Sequence, residues 1–289
     1  MLIPTKASTR QGILLMLFAV LLFTMMDALA KGLVQRYPTE QVVWARFTGQ
    51  LLLVIVILNR NLPPVLRTRH PRLHLLRSAT QLGATGFFFT SLNYIGLAEA
   101  TALTDINPVL ITLGAALFLG EKLGPRRIAG VVAAMIGAMI VIRPGMGVFT
   151  PAALLPLCCA VCYATNAIIT RKVGSTETAW TSMLYAGLFG TLVTSALLPG
   201  AWVPIPLSDF PIFITIGCLG TAAQLALIRS FSIAEASSVA PFGYAGIVLA
   251  TLWGILLYGE YPDLMTVIGA SIIVIAGLYV WHRETQAKG

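Results

Sequence analysis

The sequence has few charged residues. Only 10% of its 289 residues are Asp, Glu, Lys or Arg, and 57% are hydrophobic, whereas soluble domains carry roughly 25% charged residues. A chain of this length could not keep so much apolar surface away from water as one soluble globule, so lipid must be its solvent. At about 20 apolar residues per span, the length predicts ten transmembrane helices and leaves no room for a soluble domain.

The sequence also lacks the motifs that mark common enzymes. It contains no metalloprotease HExxH, no Walker sequence and no hydrolase GxSxG. We therefore expect no enzymatic activity and no cofactor, and an ion or substrate gradient rather than ATP as the source of energy. A membrane-embedded enzyme or scaffold that does not transport remains the alternative from another class.

Cysteine is scarce, and all four cysteines lie inside apolar runs. This placement predicts small packing residues and no disulfide framework. Cys158 and Cys162 share a helix face, which leaves a soft-metal site open, but the pattern favours packing and we expect no metal.

Basic residues outnumber acidic ones by 19 to 11. The excess could indicate a nucleic-acid partner, but the Lys and Arg residues cluster in short loops between apolar runs. Counted over alternate loops, 15 of the 19 fall on one side. The positive-inside rule makes that side cytoplasmic. The pattern predicts a multi-pass inner-membrane protein with both termini in the cytoplasm and no nucleic-acid partner.

Apolar runs bounded by charges, Gly and Pro give the helix boundaries. They predict helices over 11–33, 41–58, 73–94, 98–119, 127–142, 152–170, 178–198, 210–230, 237–258 and 264–281. The first run ends in Ala28-Leu29-Ala30 and so resembles a signal peptide. Its counterpart in the repeat described next lies in mid-chain, so we expect the first run to be retained as a helix.

The chain repeats itself at a shift of about 139 residues. Ala98-Glu99-Ala100 resembles Ala234-Glu235-Ala236, and the segment around Asp27 resembles the segment around Asn166. The repeat predicts two five-helix halves, residues 1–147 and 148–289. Because five is odd, the second half must enter the membrane from the opposite side. Inverted repeats of this kind are the architecture with which many secondary transporters alternate access.

Three charged residues lie within the predicted helices at a similar depth, namely Asp27, Arg46 and Asp105. A charge in hydrocarbon is costly and indicates a functional site by default. A guanidinium between two carboxylates could release one of them when a substrate or proton arrives. A permanent ion pair is the alternative, and Lys31 at i+4 is a further partner open to Asp27.

Other polar and aromatic residues complete the predicted substrate-binding or coupling site. In the second half, the repeat places Asn166 opposite Asp27, Tyr185 opposite Arg46 and Tyr244 opposite Asp105. The remaining candidates are side chains that could hydrogen-bond to a ligand or stack on it, and an amide beside a helix-bending proline: Gln81, Asn93, Gln224, Trp44 and Asn107, the last followed by Pro108.

Several short segments resemble the EamA-type members of the drug/metabolite transporter superfamily over nearly the whole chain. They are Met26-Asp27-Ala28-Leu29-Ala30-Lys31, Val43-Trp44-Ala45-Arg46-Phe47, Ala98-Glu99-Ala100-Thr101-Ala102, Gly120-Glu121-Lys122, Ala240-Pro241-Phe242-Gly243-Tyr244 and Gly259-Glu260-Tyr261-Pro262-Asp263. The resemblance implies an all-α membrane protein of ten helices from a duplicated five-helix unit. It also implies a central substrate cavity between the halves.

The resemblance narrows the expected function to transport of a small organic metabolite. The sequence looks most like the group that imports riboflavin or S-adenosylmethionine, so uptake of such a compound is the first expectation. Export of amino acids or related metabolites is the alternative. The expected partners are the small-molecule substrate and the lipid bilayer, and the sequence leaves open whether two copies associate as a homodimer.

Overall fold

The computed structural model describes residues 6–107, 110, 125–142, 151–173, 177–233 and 240–286, and this part of the chain is built of helices. The main helices are α1 (Lys6–Val34), α2 (Thr39–Leu58), α3 (Pro71–Ser91), α4 (Leu97–Thr104), α5 (Pro125–Ile142), α6 (Leu154–Val173), α7 (Ala179–Leu197), α8 (Phe210–Ile233), α9 (Ala245–Tyr258) and α10 (Leu264–Gln286). Short helical turns connect them at Asn59–Asn61, Leu62–Val65, Pro151–Ala153, Leu198–Gly200 and Ala240–Tyr244.

Two predicted helices can be compared with the structure only in part. The predicted helix 98–119 begins as α4, but its second half, with Pro108, lies outside the described residues, as does the predicted junction of the halves at 147. Of the predicted helix 237–258, residues 237–239 lie outside the described residues, Ala240–Tyr244 form a 3₁₀ turn, and the α-helix begins at Ala245. Pro241 has no backbone N–H to donate, which fits a tight turn at a helix start.

Five described helices are long and apolar enough to cross a membrane. They span 10–34, 39–58, 151–170, 179–200 and 210–230, and shorter apolar helices lie at 128–142, 242–258 and 264–279. α3 has 21 residues but carries Arg72, His74 and Arg77 near its start, which lower its hydropathy. The chain is therefore an all-α, multi-pass membrane protein.

The most extensive contacts between helices follow a pattern that is kept when each of α1 to α5 is exchanged with the helix five places later. α1 packs against α8 as α6 packs against α3, and α2 packs against α8 as α7 packs against α3. Three pairs are left unchanged by the exchange, and the two helices of each are in contact: α2 with α7, α4 with α9 and α5 with α10.

Helices α2 and α7 run antiparallel and very close together. Gly190 lies against the ring of Phe47. A Cβ placed on Gly187 would lie 3.2 Å from Leu51. As the residue number rises along α2 it therefore falls along α7. A side chain at position 190 would overlap the Phe47 ring, so glycine is what permits this close approach.

Helices α5 and α10 are also antiparallel. A Cβ placed on Gly137 would lie 2.9 Å from Ile273, and one placed on Gly269 would lie 2.6 Å from Val141. As the residue number rises from Gly137 to Val141 along α5, it falls from Ile273 to Gly269 along α10. In each of these two pairs, therefore, the two helices cross the bundle in opposite directions.

A buried lysine fastens α1 to the segments beside α4 and α10. Lys31 is 1% exposed, and its Nζ lies 2.7 Å from Oε1 of Glu260 and donates to the Ile95 carbonyl at 2.8 Å. The backbone N–H of Leu97 donates to Oε2 of the same carboxylate at 3.1 Å. Lys31 therefore pairs with a residue distant in sequence and not with Asp27, the partner that helical spacing suggested.

Candidate functional site

Arg46 of α2 is buried between α3 and α8. It is 2% exposed, its Nη1 donates to Oγ1 of Thr85, and its guanidinium carbon lies 5.1 Å from the centre of the Phe47 ring. Its Nε is buried and has no hydrogen-bond partner among the described residues. A buried donor without a partner is costly, which makes this nitrogen a point where a ligand can gain binding energy.

The backbone of α8 approaches Arg46 closely. A Cβ placed on Gly220 would lie 2.9 Å from Sδ of Met26 and 3.5 Å from Nε of Arg46. A larger residue at 220 would therefore press on both α1 and the guanidinium. This packing fixes the height at which Arg46 sits between the helices.

Asp27 of α1 and Tyr163 of α6 form the electrostatic surroundings of Arg46. Both side chains are half-buried even though they project between helices. Arg46 takes part in none of the ion pairs between described residues. The guanidinium is thus within electrostatic range of Asp27 but forms no ion pair with it in the described part of the chain.

Asp105 lies at the C-terminal end of α4, within electrostatic range of Tyr244 and Tyr163. Its Oδ2 is buried without a hydrogen-bond partner, and so is the Tyr244 hydroxyl. Asp105 interacts electrostatically with both tyrosines. Tyr244 packs against Gly277 of α10, where any side chain would overlap its hydroxyl.

These residues form one central polar cluster, which we define as Asp27, Arg46, Asp105, Tyr163 and Tyr244. Three members come from the first half of the chain and two from the second. Tyr163 links the cluster, since it interacts with Arg46, Asp27 and Asp105. Asp105 is not among the groups that act electrostatically on Arg46, so the guanidinium is not held between two carboxylates. An apolar bundle that surrounds two acids, one base and two phenols can bind a polar or zwitterionic molecule.

Sequence reasoning missed Tyr163. The repeat was aligned through Asn166, three residues later, and a tyrosine within a long apolar helix reads as a packing residue. The sequence carried no signal for it, because the burial of Cys159 one helical turn earlier and the interaction of that residue with Arg46 are visible only in the structure.

Some predicted site residues lie near the cluster. Gln81 is buried one turn before Thr85 on α3, and its carbonyl accepts the Thr85 hydroxyl at 3.1 Å. Gln224 is half-buried one turn after Gly220 on α8, and Asn107 is half-buried two residues after Asp105.

Other predicted site residues lie away from the cluster. Trp44 donates to Ser195 at 2.9 Å and packs edge-on against Trp202. Asn93 is exposed and donates to Thr39 at 3.2 Å, where it ties the end of α3 to the start of α2.

Two further predicted residues belong to an interhelical network near the start of α3. Asn166 donates to the carbonyl of Arg77 at 2.9 Å. The Tyr185 hydroxyl donates to the carbonyl of Leu66 at 2.9 Å, and its ring stacks on His74. These contacts fasten helices together.

Residues 10–143 and, again, residues 150–281 match the EamA-like transporter family. The chain belongs to this family. Like its relatives it is a membrane transporter of a small metabolite. A riboflavin transporter of Rhizobium johnstonii is 29% identical over 99% of this chain and 95% of its own length.

Two further relatives carry other substrates in their names. A pseudopaline exporter of Pseudomonas aeruginosa is 28% identical and covers 92% of this EamA-like chain and 94% of its own. An S-adenosylmethionine uptake transporter of Rickettsia bellii is 26% identical over 90% of both chains. One solved crystal structure superposes with a TM-score of 0.66 at 22% identity, covering 96% of this chain and 99% of the other. At that identity the likeness supports the fold alone.

Proposed function

We propose that this EamA-like protein is a secondary transporter that works by alternating access, with ten transmembrane helices arranged as two inverted five-helix repeats. The observation that carries the proposal is the central polar cluster, whose unpartnered buried atoms come from both halves of the chain. In an apolar bundle, such atoms are retained where a ligand completes their hydrogen bonds.

The packing supports the inverted arrangement. Helices that correspond under the five-place exchange, α2 with α7 and α5 with α10, run antiparallel in close contact. Two copies of one fold that point in opposite directions can exchange inward-facing and outward-facing shapes around a site between them. The distribution of Lys and Arg supports an inner-membrane location with both termini in the cytoplasm.

The substrate we propose is an amphipathic metabolite such as riboflavin or S-adenosylmethionine, taken up into the cell. Three features of the cluster support this class: aromatic rings for a planar group, a guanidinium for an anion or carbonyl, and two carboxylates for a cation. Export of an amino-acid-derived compound is the second candidate, favoured by the similarity to the pseudopaline exporter.

Reconstitution into liposomes tests the proposal. The purified protein is given labelled riboflavin, S-adenosylmethionine and a panel of amino acids, with and without an imposed proton gradient. We expect flux of one chemical class, saturable and abolished by excess unlabelled compound. Flux of none of them through folded protein would contradict the proposed substrate class.

Labelling of terminal cysteines tests the architecture. In a chain whose four native cysteines are serine, single cysteines at Ala7 and Gly289 are exposed to an impermeant thiol reagent in intact cells and in inside-out vesicles. We expect both to react only in the vesicles. Reaction of the two ends from different faces would overturn the inverted repeat.

A further inference from the structure

Two hydrogen-bonded networks outside the central cluster join the starts of helices from the two halves of the chain. The first, which we call the α2/α8 latch, consists of Arg36 and Tyr37 before α2 and Asp209 before α8. Nη1 of Arg36 lies 2.7 Å from Oδ2 of Asp209, and the Tyr37 hydroxyl donates to the same oxygen at 2.6 Å. The hydrogen bond from Tyr37 and the nearby Arg36 charge lower the pKa of Asp209 below its ordinary value, so the carboxylate is ionised at neutral pH.

The second network, the α3/α7 latch, consists of Thr68, Arg69 and His74 at the start of α3 and Glu177 before α7. Oε1 of Glu177 accepts from the Thr68 hydroxyl at 2.5 Å and from the Arg69 backbone N–H at 2.7 Å. Oε2 lies 2.6 Å from Nε2 of His74. Burial acts to raise the pKa of Glu177, but these hydrogen bonds outweigh it and the pKa is lowered.

The two latches lie at opposite ends of the bundle. α2 and α7 are antiparallel, so the segment before α2, with Tyr37, and the segment before α7, with Glu177, are at opposite faces. In each latch a short segment at a helix start is joined to the other half of the chain.

The latches also join equivalent segments. Under the five-place exchange, α2 becomes α7 and α8 becomes α3, so a link between the starts of α2 and α8 becomes a link between the starts of α7 and α3. The chemistry is not copied, because the carboxylate stands before α8 in one latch and before α7 in the other. Each latch can therefore be broken without altering the other.

We propose that the α2/α8 latch and the α3/α7 latch are the two gates of the transport cycle, and that the arrangement with both closed is the occluded state. The proposal rests on the proposed function. Charge-assisted hydrogen bonds between a few residues are strong enough to hold a gate shut and few enough to break. In alternating access one latch opens while the other stays closed.

Thiol labelling of a cluster residue tests the gates directly. The reporter is Tyr163→Cys in a background whose native cysteines are serine, labelled by an impermeant reagent from either face in right-side-out and inside-out vesicles. We expect Asp209→Asn to raise the labelling rate about tenfold from the face that holds the α2/α8 latch. Glu177→Gln should raise it by a similar factor from the opposite face.

The matched control is Glu40→Gln, the same chemical change at an exposed carboxylate three residues from Tyr37, which should alter neither rate. If either latch variant does not yield folded protein, Tyr37→Phe or His74→Phe replaces it, because each removes one hydrogen bond of its latch and keeps an aromatic ring in place. Unchanged rates in folded variants, or a rise from both faces at once, would overturn the gates.

Flux measured in the latch variants without the reporter separates the two proposals. Flux in the unaltered chain together with unchanged labelling in the variants would refute the gates and leave transport intact. Face-specific labelling without flux of any compound through the unaltered chain would keep the latches as access barriers and refute the transport cycle.

Discussion

Replacing Arg46 with alanine should damage transport more than it damages folding. The Arg46 side chain is 2% exposed, and within the part of the chain that the structure describes it makes one hydrogen bond, to Thr85, while its Nε has no partner there. Removing it forfeits that one bond but also relieves the burial of a charge, so the net loss of stability should stay within about 1–2 kcal/mol.

The loss of function should be larger. A ligand group that completes Nε gains a charge-assisted hydrogen bond, which contributes about 1.5–3 kcal/mol. Its loss weakens apparent substrate affinity by about 10-fold to 150-fold. The apparent substrate affinity of Arg46→Lys should lie between those of the unaltered chain and Arg46→Ala, since lysine keeps the charge but lacks the planar fork of donors.

Arg77 provides the matched control, because it is a second buried arginine whose polar contacts are made by the protein. It is 4% exposed, its Nε donates to Thr170 at 2.8 Å, and its Nη1 donates to the Ser182 carbonyl at 3.0 Å. Arg77→Ala removes two links from α3 to α6 and α7, which should cost about 2–4 kcal/mol. We expect it to reduce folded yield while the surviving molecules keep their substrate affinity.

The assay measures two quantities for each variant: monodisperse yield by size-exclusion chromatography in detergent, and flux per folded molecule in liposomes over a range of substrate concentrations. If Arg46→Ala lost yield and flux in equal proportion, or if the two arginines gave the same profile, Arg46 would be a structural residue and the argument from its unpartnered Nε would be refuted.

Three further predictions concern packing and charge. Gly190→Ala should lower thermal stability in detergent by the equivalent of about 1–3 kcal/mol, because the new methyl group overlaps the Phe47 ring; an unchanged melting temperature would contradict the close approach of α2 and α7. Glu260→Gln should raise the rate of thermal inactivation more than Lys31→Met does. The first change leaves the buried Lys31 ammonium without its anion, whereas the second leaves a Glu260 carboxylate that is partly solvated. The reverse order would refute this reasoning. Because the pKa of Asp209 is lowered, its contribution to stability is present at neutral pH and is lost as pH falls below the ordinary value of about 4, so Asp209→Asn should flatten the acid limb of the inactivation profile, and an unaltered limb would contradict it.

Much of the fold could be predicted from the sequence. The apolar runs placed helices over 41–58, 178–198 and 210–230, within two or three residues of α2, α7 and α8. Long apolar segments are unambiguous because a helix is the structure in which a single segment satisfies its own backbone hydrogen bonds in lipid. The boundary near Pro241 was less certain, since the balance between a 3₁₀ turn and an α-helix depends on packing.

The candidate site was harder to predict. Asp27, Arg46 and Asp105 stood out because charged residues are scarce in these helices, and Tyr244 was a candidate because the repeat aligned it with Asp105. Tyr163 did not, because an aromatic residue on an apolar helix faces lipid, core or cavity with no difference in local pattern. The rotation of α6 about its axis decides between them, and that rotation is set by its packing against α3.

The sequence by itself determined the solvent, the helix positions and the duplication, since each follows from local composition or from self-similarity along the chain. The tertiary structure decided the partners. Lys31 reaches Glu260 instead of Asp27, Tyr185 stacks on His74, and Asp209 and Glu177 become the anions of two latches at opposite ends. The energy of an ion pair or hydrogen bond depends on distances across the bundle, and those distances exist only once helices far apart in sequence have packed together.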